Sequence, residues 1–173
     1  MKTIIIVDLE ATCSKNRDIE NEIIEIGAVK IENGKVISQF DRFVKPIINP
    51  ILTDFCKELT TIKQQDIDLA EEFPKVLKDF LNWIGTEDFI LMSWGFYDKN
   101  QFIHDCRLHD LDISWIKEHK NIKLEFADKM HCRPCGMDRA LSLLHLDLLG
   151  THHRGIDDAH NISKIYLEMH KED

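Results

Sequence analysis

The segment "IIIVDLEATC" (residues 4–13) carries two carboxylates in an otherwise apolar stretch that is rich in β-branched residues. Such a stretch is typical of a buried strand, which we predict over Thr3–Leu9. Residues two apart in a strand point to the same face, so Asp8 and Glu10 lie side by side. Because neighbouring anions repel each other and are costly beside a hydrophobic core, the pair is either an exposed strand end or half of a cation site.

Further strand and helix patterns follow this segment. "NEIIEIGAVKIENGKVISQFDRFVKP" (21–46) predicts a hairpin that turns at Asn33-Gly34. "DFILMSW" (88–94) predicts a buried strand, and "NIKLEF" (121–126) a further strand. The segments with helical patterns are 52–62, 73–85, 97–110, 136–146 and 157–170. This order predicts an α/β fold with a central mixed five-stranded sheet, antiparallel at first and parallel later, flanked by helices.

The composition is that of a soluble globular chain, with 43% hydrophobic and 31% charged residues. No apolar run reaches membrane-spanning length. The apolar segment of "MKTIIIVDLE" is too short for a signal peptide, and it contains acidic residues. We therefore expect a cytoplasmic protein with no membrane partner. The net charge of −9 argues against a broad basic surface for nucleic acid, although acidic ligands of bound cations would contribute to that count.

The five cysteines are expected to be reduced thiols, and their odd number cannot pair completely. "CRPC" (132–135) matches half of a zinc site, but a four-cysteine site needs a second close pair, which the sequence lacks. Two ordinary thiols in a loop before a helix are the favoured interpretation. A zinc-binding module that uses Cys132, Cys135 and nearby histidines is the alternative.

Asp98 stands in "SWGFYDKNQF" (93–102), after the strand predicted at 88–94 and at the start of a helix. Open α/β sheets place their ligand sites at such positions, and the positive end of the helix dipole favours an anion there. Taken alone, Asp98 is more typical of a helix-capping acid of no functional interest. Together with Asp8 and Glu10 it supplies the hard oxygen ligands that Mg²⁺ or Mn²⁺ prefers.

"THHRGIDDAHNIS" (151–163) adds a histidine loop and two acids at the start of the last helix. His153 changes its charge near neutral pH and is able to accept a proton from water, while Asp157 or Asp158 offers a fixed ligand. A lone histidine and acid would be read as an exposed loop and a helix cap. Alongside the other acidic positions, they favour a catalytic metal site.

Three motifs, "DLEATC", "SWGFYD" and "HHRGIDDAHNI", resemble in order and spacing the exonuclease motifs of the DEDDh 3′-to-5′ exonucleases. The resemblance is to the branch that includes the histone-mRNA 3′-end and RNA-interference-regulating exonucleases. "LTDFCKELTTIKQQDID" and "CGMDRALSLLHLDLLGTHHRGIDDA" are also similar to that branch, so the likeness runs over nearly the whole chain. It implies a ribonuclease-H-like fold and a single exonuclease domain over residues 1–173.

The resemblance also implies roles for individual residues. The four acidic ligands of two divalent ions, Mg²⁺ or Mn²⁺, would be Asp8, Glu10, Asp98 and Asp158. His153, rather than His152, takes the place of the general base because the family spacing is a histidine, four residues and an aspartate. Glu10 and His153 are thus the expected catalytic residues. The expected nucleotide-binding residues are Leu9, Glu10, Ala11 and His153.

The implied activity is the release of nucleoside 5′-monophosphates from the 3′ ends of single-stranded RNA or RNA overhangs. The rival within the enzyme class is a DNA 3′–5′ exonuclease of the proofreading or repair type. The rivals outside it are a non-catalytic nucleic-acid- or protein-binding module and the zinc-binding module. Thr61 is a departure, since relatives usually carry glycine there, and it bears on how the terminal nucleotide is contacted.

Four more residues have two interpretations each. Glu25, an acid in an apolar strand, either binds the sugar of a nucleotide or faces solvent. Trp94 and Phe96 either stack on a base or, as is commoner beside a buried strand, belong to the core. Arg154 either contacts phosphate or lies solvated on the surface.

Overall fold

A computed structural model describes residues 2–85 and 88–171; the predicted domain, 1–173, includes residues outside these ranges. One sheet has the strand order β3-β2-β1-β4-β5. Its strands are β1 Thr3–Ala11, β2 Ile23–Glu32, β3 Lys35–Phe43, β4 Phe89–Ser93 and β5 His119–Asn121. The β1–β2 and β2–β3 pairs are antiparallel, whereas β1–β4 and β4–β5 are parallel. The predicted mixed five-stranded sheet is confirmed.

Helices pack on both faces of this sheet. They are α1 Asp54–Thr60, α2 Gln64–Asp68, α3 Phe73–Ile84, α4 Tyr97–Leu108, α5 Ile122–Lys129, α6 Met137–Leu143 and α7 Gly155–Met169. Ile5 and Val7 of β1 share a buried cluster with α3 and α4, whereas Ile6 shares one with α5, α6 and α7. Because both faces of β1 are covered, its apolar run is continuous. Within the described ranges, no helix is long and apolar enough to cross a membrane.

The predicted strand at 121–126 is wrong over most of its length. Only His119–Asn121 pairs with β4, and the chain then enters α5 at Ile122. The side chain of Asn121 accepts a hydrogen bond from the amide of Leu124 at 3.2 Å, which caps the helix. Ile122 and Phe126, both fully buried, are four residues apart and pack on one helical face. The helix cap and this spacing, rather than the β-forming residues, determine the structure.

The backbone conformation of Thr61 accounts for the glycine that the family resemblance predicts at this position. Thr61 ends α1 with φ 62° and ψ 4°, a left-handed conformation that a β-branched residue adopts at a cost. Thr61→Gly is therefore expected to raise the free energy of unfolding by about 1 kcal/mol. Urea denaturation measures this gain. Thr61→Ala, which keeps a Cβ, should gain less, and an equal gain for both variants would rule out backbone strain as the cause.

The start of α7 lies directly on β2 at Gly27. A Cβ on Gly27 would stand 2.0 Å from the carbonyl carbon of Gly155 and 2.1 Å from the amide nitrogen of Ile156. The register partner of Gly27 on β1 is Asp8. The missing side chain therefore lets the first turn of α7 approach the acidic end of β1.

Gly27→Ala is expected to lower the free energy of unfolding by about 3 kcal/mol, because backbone atoms of α7 must move to admit a methyl group. Gly34→Ala is the control, since Gly34 has open space around the missing Cβ and φ +70°. Its cost is that of the left-handed conformation alone, about 1 kcal/mol. Chemical denaturation of both variants measures the difference, and equal losses would contradict a close approach of α7 to β2.

Candidate active site

Four carboxylates from three distant segments line one cleft. Asp8 and Glu10 come from the end of β1, Asp98 from the first turn of α4 and Asp158 from the first turn of α7. Carboxylate oxygens of Asp8, Glu10 and Asp158 lie within 4.8 Å of one another. Asp98 is tied to β1, because its Oδ1 accepts a hydrogen bond from the amide of Leu9 at 3.0 Å. The structure thus brings together all four acids that the resemblance implies as ligands.

The protein compensates the negative charge of this cluster only weakly. Burial and the repulsion of Asp98 and Glu10 raise the pKa of Asp8 well above its usual range. Burial, followed by repulsion from Glu25 and Asp158, raises the pKa of Glu10 to about 8. Burial raises that of Asp98 to about 6, although hydrogen bonds from backbone amides and Ser93 oppose the shift. Such a set of hard oxygen donors, buried except for the half-buried Asp8 and mutually repelling, fits divalent cations such as Mg²⁺ or Mn²⁺.

The loop before α7 places two histidines against Asp158. The amide of His153 donates to Oδ2 of Asp158 at 2.9 Å, and Nδ1 of His152 lies 3.0 and 3.2 Å from the two carboxylate oxygens. The two imidazole rings stack with their centroids 4.0 Å apart. Burial and the neighbouring His152 lower the pKa of His153, which favours the neutral imidazole that accepts a proton. The contact of His152 with Asp158 is one that the sequence analysis missed.

Asp157 has a different role from its neighbour. Its Oδ2 accepts a hydrogen bond from the amide of Thr151 at 2.8 Å, which fixes the loop to the start of α7. Asp157 is not among the residues that line the cleft. It is therefore a loop-anchoring acid at the helix start.

Glu25 and Arg154 hold the histidine loop on the sheet. Glu25 is fully buried, so the solvent-facing interpretation of this residue is wrong. Its oxygens accept hydrogen bonds from the guanidinium of Arg154, two at 3.2 Å, and from the amide of Gly155 at 3.1 Å. The guanidinium carbon also lies 5.3 Å from the ring centroid of Phe43. Arg154 thus joins the loop to β2 and β3 and is not a plain surface residue.

Arg154→Ala is expected to lower the free energy of unfolding by about 3 kcal/mol, because it leaves the buried carboxylate of Glu25 without its ionic partner. Arg42→Ala is the matched control. Arg42 lies 3.8 Å from Asp79 in a pair whose side chains are 46% and 26% exposed, so its loss should cost less than about 1 kcal/mol. Urea denaturation compares the two variants. A loss for Arg154→Ala no larger than for Arg42→Ala would show that Glu25 does not depend on the pair.

The remaining predicted residues divide between core and cleft. Leu9 and Ala11 are buried, and Leu9 lines the cleft. Trp94 packs against Phe126 at a centroid distance of 5.8 Å and donates to a backbone carbonyl, so it belongs to the edge of the core, and it also lines the cleft. Phe96 is 51% exposed.

The two cysteines of "CRPC" do not form a metal cluster within the ranges that the structure describes. Cys132 and Cys135 are free, half-buried thiols that pack against the α5–α7 side of the core. The groups of three or more close ligand atoms found among residues 2–85 and 88–171 include neither thiol. A zinc-binding module built on Cys132 and Cys135 therefore lacks a third ligand there.

Comparison with known proteins agrees with this geometry. Residues 5–166 match the model of the RNase_T family, described as an exonuclease. The human "3'-5' exoribonuclease 1" is 33% identical over 180 residues, which cover 96% of this chain and 52% of that protein. The "3'-5' exonuclease eri1" of Schizosaccharomyces pombe is 29% identical over 98% of this chain and 68% of its own length. The chain spans about half the length of the mammalian relatives.

Solved structures give the same fold. The nuclease domain of 3'hExo, described as a DEDDh family member bound to rAMP, has a TM-score of 0.91 and 30% identity. The alignment covers 97% of this chain and 91% of that domain, which confirms the predicted ribonuclease-H-like fold. Exonuclease I of E. coli, bound to a dA16 oligonucleotide, has a TM-score of 0.78 at 10% identity and shares the fold alone. The chain therefore belongs to the RNase_T exonuclease family and, as its three motifs predict, to the DEDDh group.

Proposed function

We propose that this protein is a metal-dependent 3′–5′ exoribonuclease that releases nucleoside 5′-monophosphates from single-stranded RNA. The observation that carries this proposal is the convergence of four carboxylates and the His153 loop in one cleft. A curated relative at 33% identity is itself called a 3'-5' exoribonuclease. A structural relative is a 3′-exonuclease that is described as recognising a histone mRNA stem-loop. Both names support RNA as the substrate class.

Asp8, Glu10, Asp98 and Asp158 would hold the metal, which we propose to be two Mg²⁺ or Mn²⁺ ions. The donor set consists of carboxylate oxygens, which such hard cations prefer. When bound, divalent ions acidify the attacking water and offset the negative charge of the phosphate. The repulsion among the four acids is the reason that cations fit here better than a neutral ligand.

The residues of the chain have separate tasks in this reaction. His153 takes a proton from the attacking water, which suits a half-buried neutral imidazole next to Asp158. Glu10 lines the cleft and would contact both the metal and the terminal nucleotide, whose sugar and base the backbone of Leu9 and Ala11 would line. Attack by water on the last phosphodiester breaks the bond between its phosphorus and the 3′ oxygen of the preceding nucleotide. That 3′ oxygen takes a proton from solvent and becomes the new 3′ hydroxyl, while the phosphate stays on the 5′ oxygen of the released nucleotide.

Two rival functions receive less support. A DNA exonuclease of the proofreading or repair type would use the same chemistry. The DNA-bound structure, E. coli exonuclease I, is only 10% identical and therefore supports the fold but not DNA as the substrate. A non-catalytic module should lack one of the acids or the histidine. This chain has all of them: Asp98, Asp158 and His153 in addition to the two acids at the end of β1.

The experiment that tests the proposal offers 5′-labelled RNA and DNA oligonucleotides, single- and double-stranded, with Mg²⁺ or Mn²⁺. A ladder that shortens from the 3′ end of single-stranded RNA, and disappears with EDTA, is the expected result. Faster shortening of DNA would favour the repair-type rival. Immediate release of the labelled 5′ nucleotide, or no cleavage in either metal, would contradict the proposal.

A further inference from the structure

A second set of ligand atoms adjoins the carboxylate cluster and shares one residue with it. Ring nitrogens of His152 and His153 and a carboxylate oxygen of Asp158 lie within 4.8 Å of one another. We call these three residues the His–His–Asp set. His152 has no task in the proposed cleavage reaction, so its contact with Asp158 needs another explanation.

The His–His–Asp set differs from the carboxylate cluster in the cations that it suits. Imidazole nitrogen is a borderline ligand that favours Zn²⁺, Ni²⁺ or Cu²⁺, whereas Mg²⁺ is held by oxygen. Two histidines and one carboxylate form a common protein ligand set for zinc, with a fourth position left to water. Because Asp158 belongs to both sets, a cation that prefers oxygen ligands and a cation that prefers nitrogen ligands would compete for its carboxylate.

The spacing of His152 and Asp158 and the exposure of the set fit a zinc ion. With Zn–N and Zn–O distances of about 2.0–2.2 Å, neighbouring ligands of a tetrahedral zinc are about 3.3 Å apart. Nδ1 of His152 is 3.0 and 3.2 Å from the carboxylate oxygens of Asp158, so the ligand spacing is already close to that value. The side chain of His152 is 42% exposed, while that of Asp158 is 5% exposed. An ion from solvent can reach the set without any opening of the core.

We propose that His152, His153 and Asp158 bind Zn²⁺ and that zinc at this position inhibits the nuclease. The inhibition rests on the proposed function, because it follows from removing His153 and Asp158 from the reaction. The binding of zinc does not rest on it. Within the chain, the feature that creates this site is a second histidine directly before the proposed general base.

The test is calorimetric titration of Zn²⁺ into the full chain in the presence of excess Mg²⁺, for wild type, His152→Asn and His145→Asn. His145 is an exposed histidine outside the set, so the same substitution there is a matched control. We expect His152→Asn to weaken zinc binding at least tenfold and His145→Asn to leave it unchanged. Cys132→Ser is included because "CRPC" is the zinc-binding alternative that the sequence suggests. Zinc affinity that falls in Cys132→Ser but not in His152→Asn would overturn the proposal.

The second readout is the ratio of RNA cleavage rates with and without micromolar Zn²⁺, which cancels any change in basal rate. This ratio should be low in wild type and close to one in His152→Asn. If no protein cleaves RNA, the proposed function fails, while the calorimetry still decides the zinc site. Should His152→Asn not fold, the ring nitrogens of wild type are observed by NMR: zinc-dependent shifts at His152 and His153 support the site, and shifts only elsewhere overturn it.

Discussion

We expect the Asp8→Asn variant to cleave RNA on the order of 10³-fold more slowly than wild type while staying folded. The stabilisation that bound metal offers to phosphoryl transfer is worth several kcal/mol, and each 1.36 kcal/mol is a factor of ten in rate. An amide keeps the shape of the carboxylate but is a poor ligand for a hard cation. Because Asp8 is repelled by Asp98 and Glu10, the neutral side chain should not lower the melting temperature of the metal-free protein.

The rate is measured with 5′-labelled RNA under single-turnover conditions, and the melting temperature in EDTA. Asp157→Asn is the matched control, since Asp157 precedes the proposed ligand Asp158 but accepts a hydrogen bond from Thr151, which an amide oxygen also accepts. Its rate should stay within a few-fold of wild type. Comparable cleavage by Asp8→Asn and wild type would remove Asp8 from the reaction and with it the metal interpretation of the cleft.

The second large effect is expected from His153→Ala, with a rate loss of about 10²–10⁴-fold. His153 is the histidine at the family spacing from Asp158, and its lowered pKa keeps it in the proton-accepting form at neutral pH. His152→Ala should lose less than about tenfold, because only the base contributes a factor of 10² or more. Single-turnover cleavage in zinc-free buffer compares the two variants.

The pair of variants decides between two neighbouring imidazoles that both reach Asp158. Nδ1 of His152 lies 3.0 Å from Oδ2 of Asp158, whereas His153 donates to the same oxygen through its backbone amide. If His152→Ala is the inactive variant and His153→Ala is active, the general base is His152 and the resemblance misassigns it. Equal, small losses in both variants would mean that neither imidazole removes the proton.

The sequence predicts those features that depend on local pattern. The apolar run before Asp8 predicts β1, Asn33-Gly34 predicts the hairpin, and both turn residues do have positive φ. The three motifs predict which acids meet because they carry information from a whole family. The pattern of residues 121–126 predicts a strand wrongly, because its β-forming side chains are visible in the sequence whereas the cap at Asn121 is a single hydrogen bond that composition does not display.

The features that the sequence could not predict are contacts between distant residues. Glu25 and Arg154 are 129 positions apart, and nothing around either one indicates that they form an ion pair. The close approach of α7 to Gly27 is likewise visible only once the backbone of Gly155 is placed. The one local hint was Glu25 itself, since an acid inside an apolar strand needs a partner when it is buried.

The central claim is that Asp8, Glu10, Asp98 and Asp158 hold divalent cations together. Anomalous diffraction from crystals grown with Mn²⁺ and a nucleoside 5′-monophosphate tests it most directly. The account predicts two manganese peaks among these four side chains, with the phosphate of the nucleotide beside them. Manganese peaks elsewhere, or a well-ordered cleft without manganese, would contradict it.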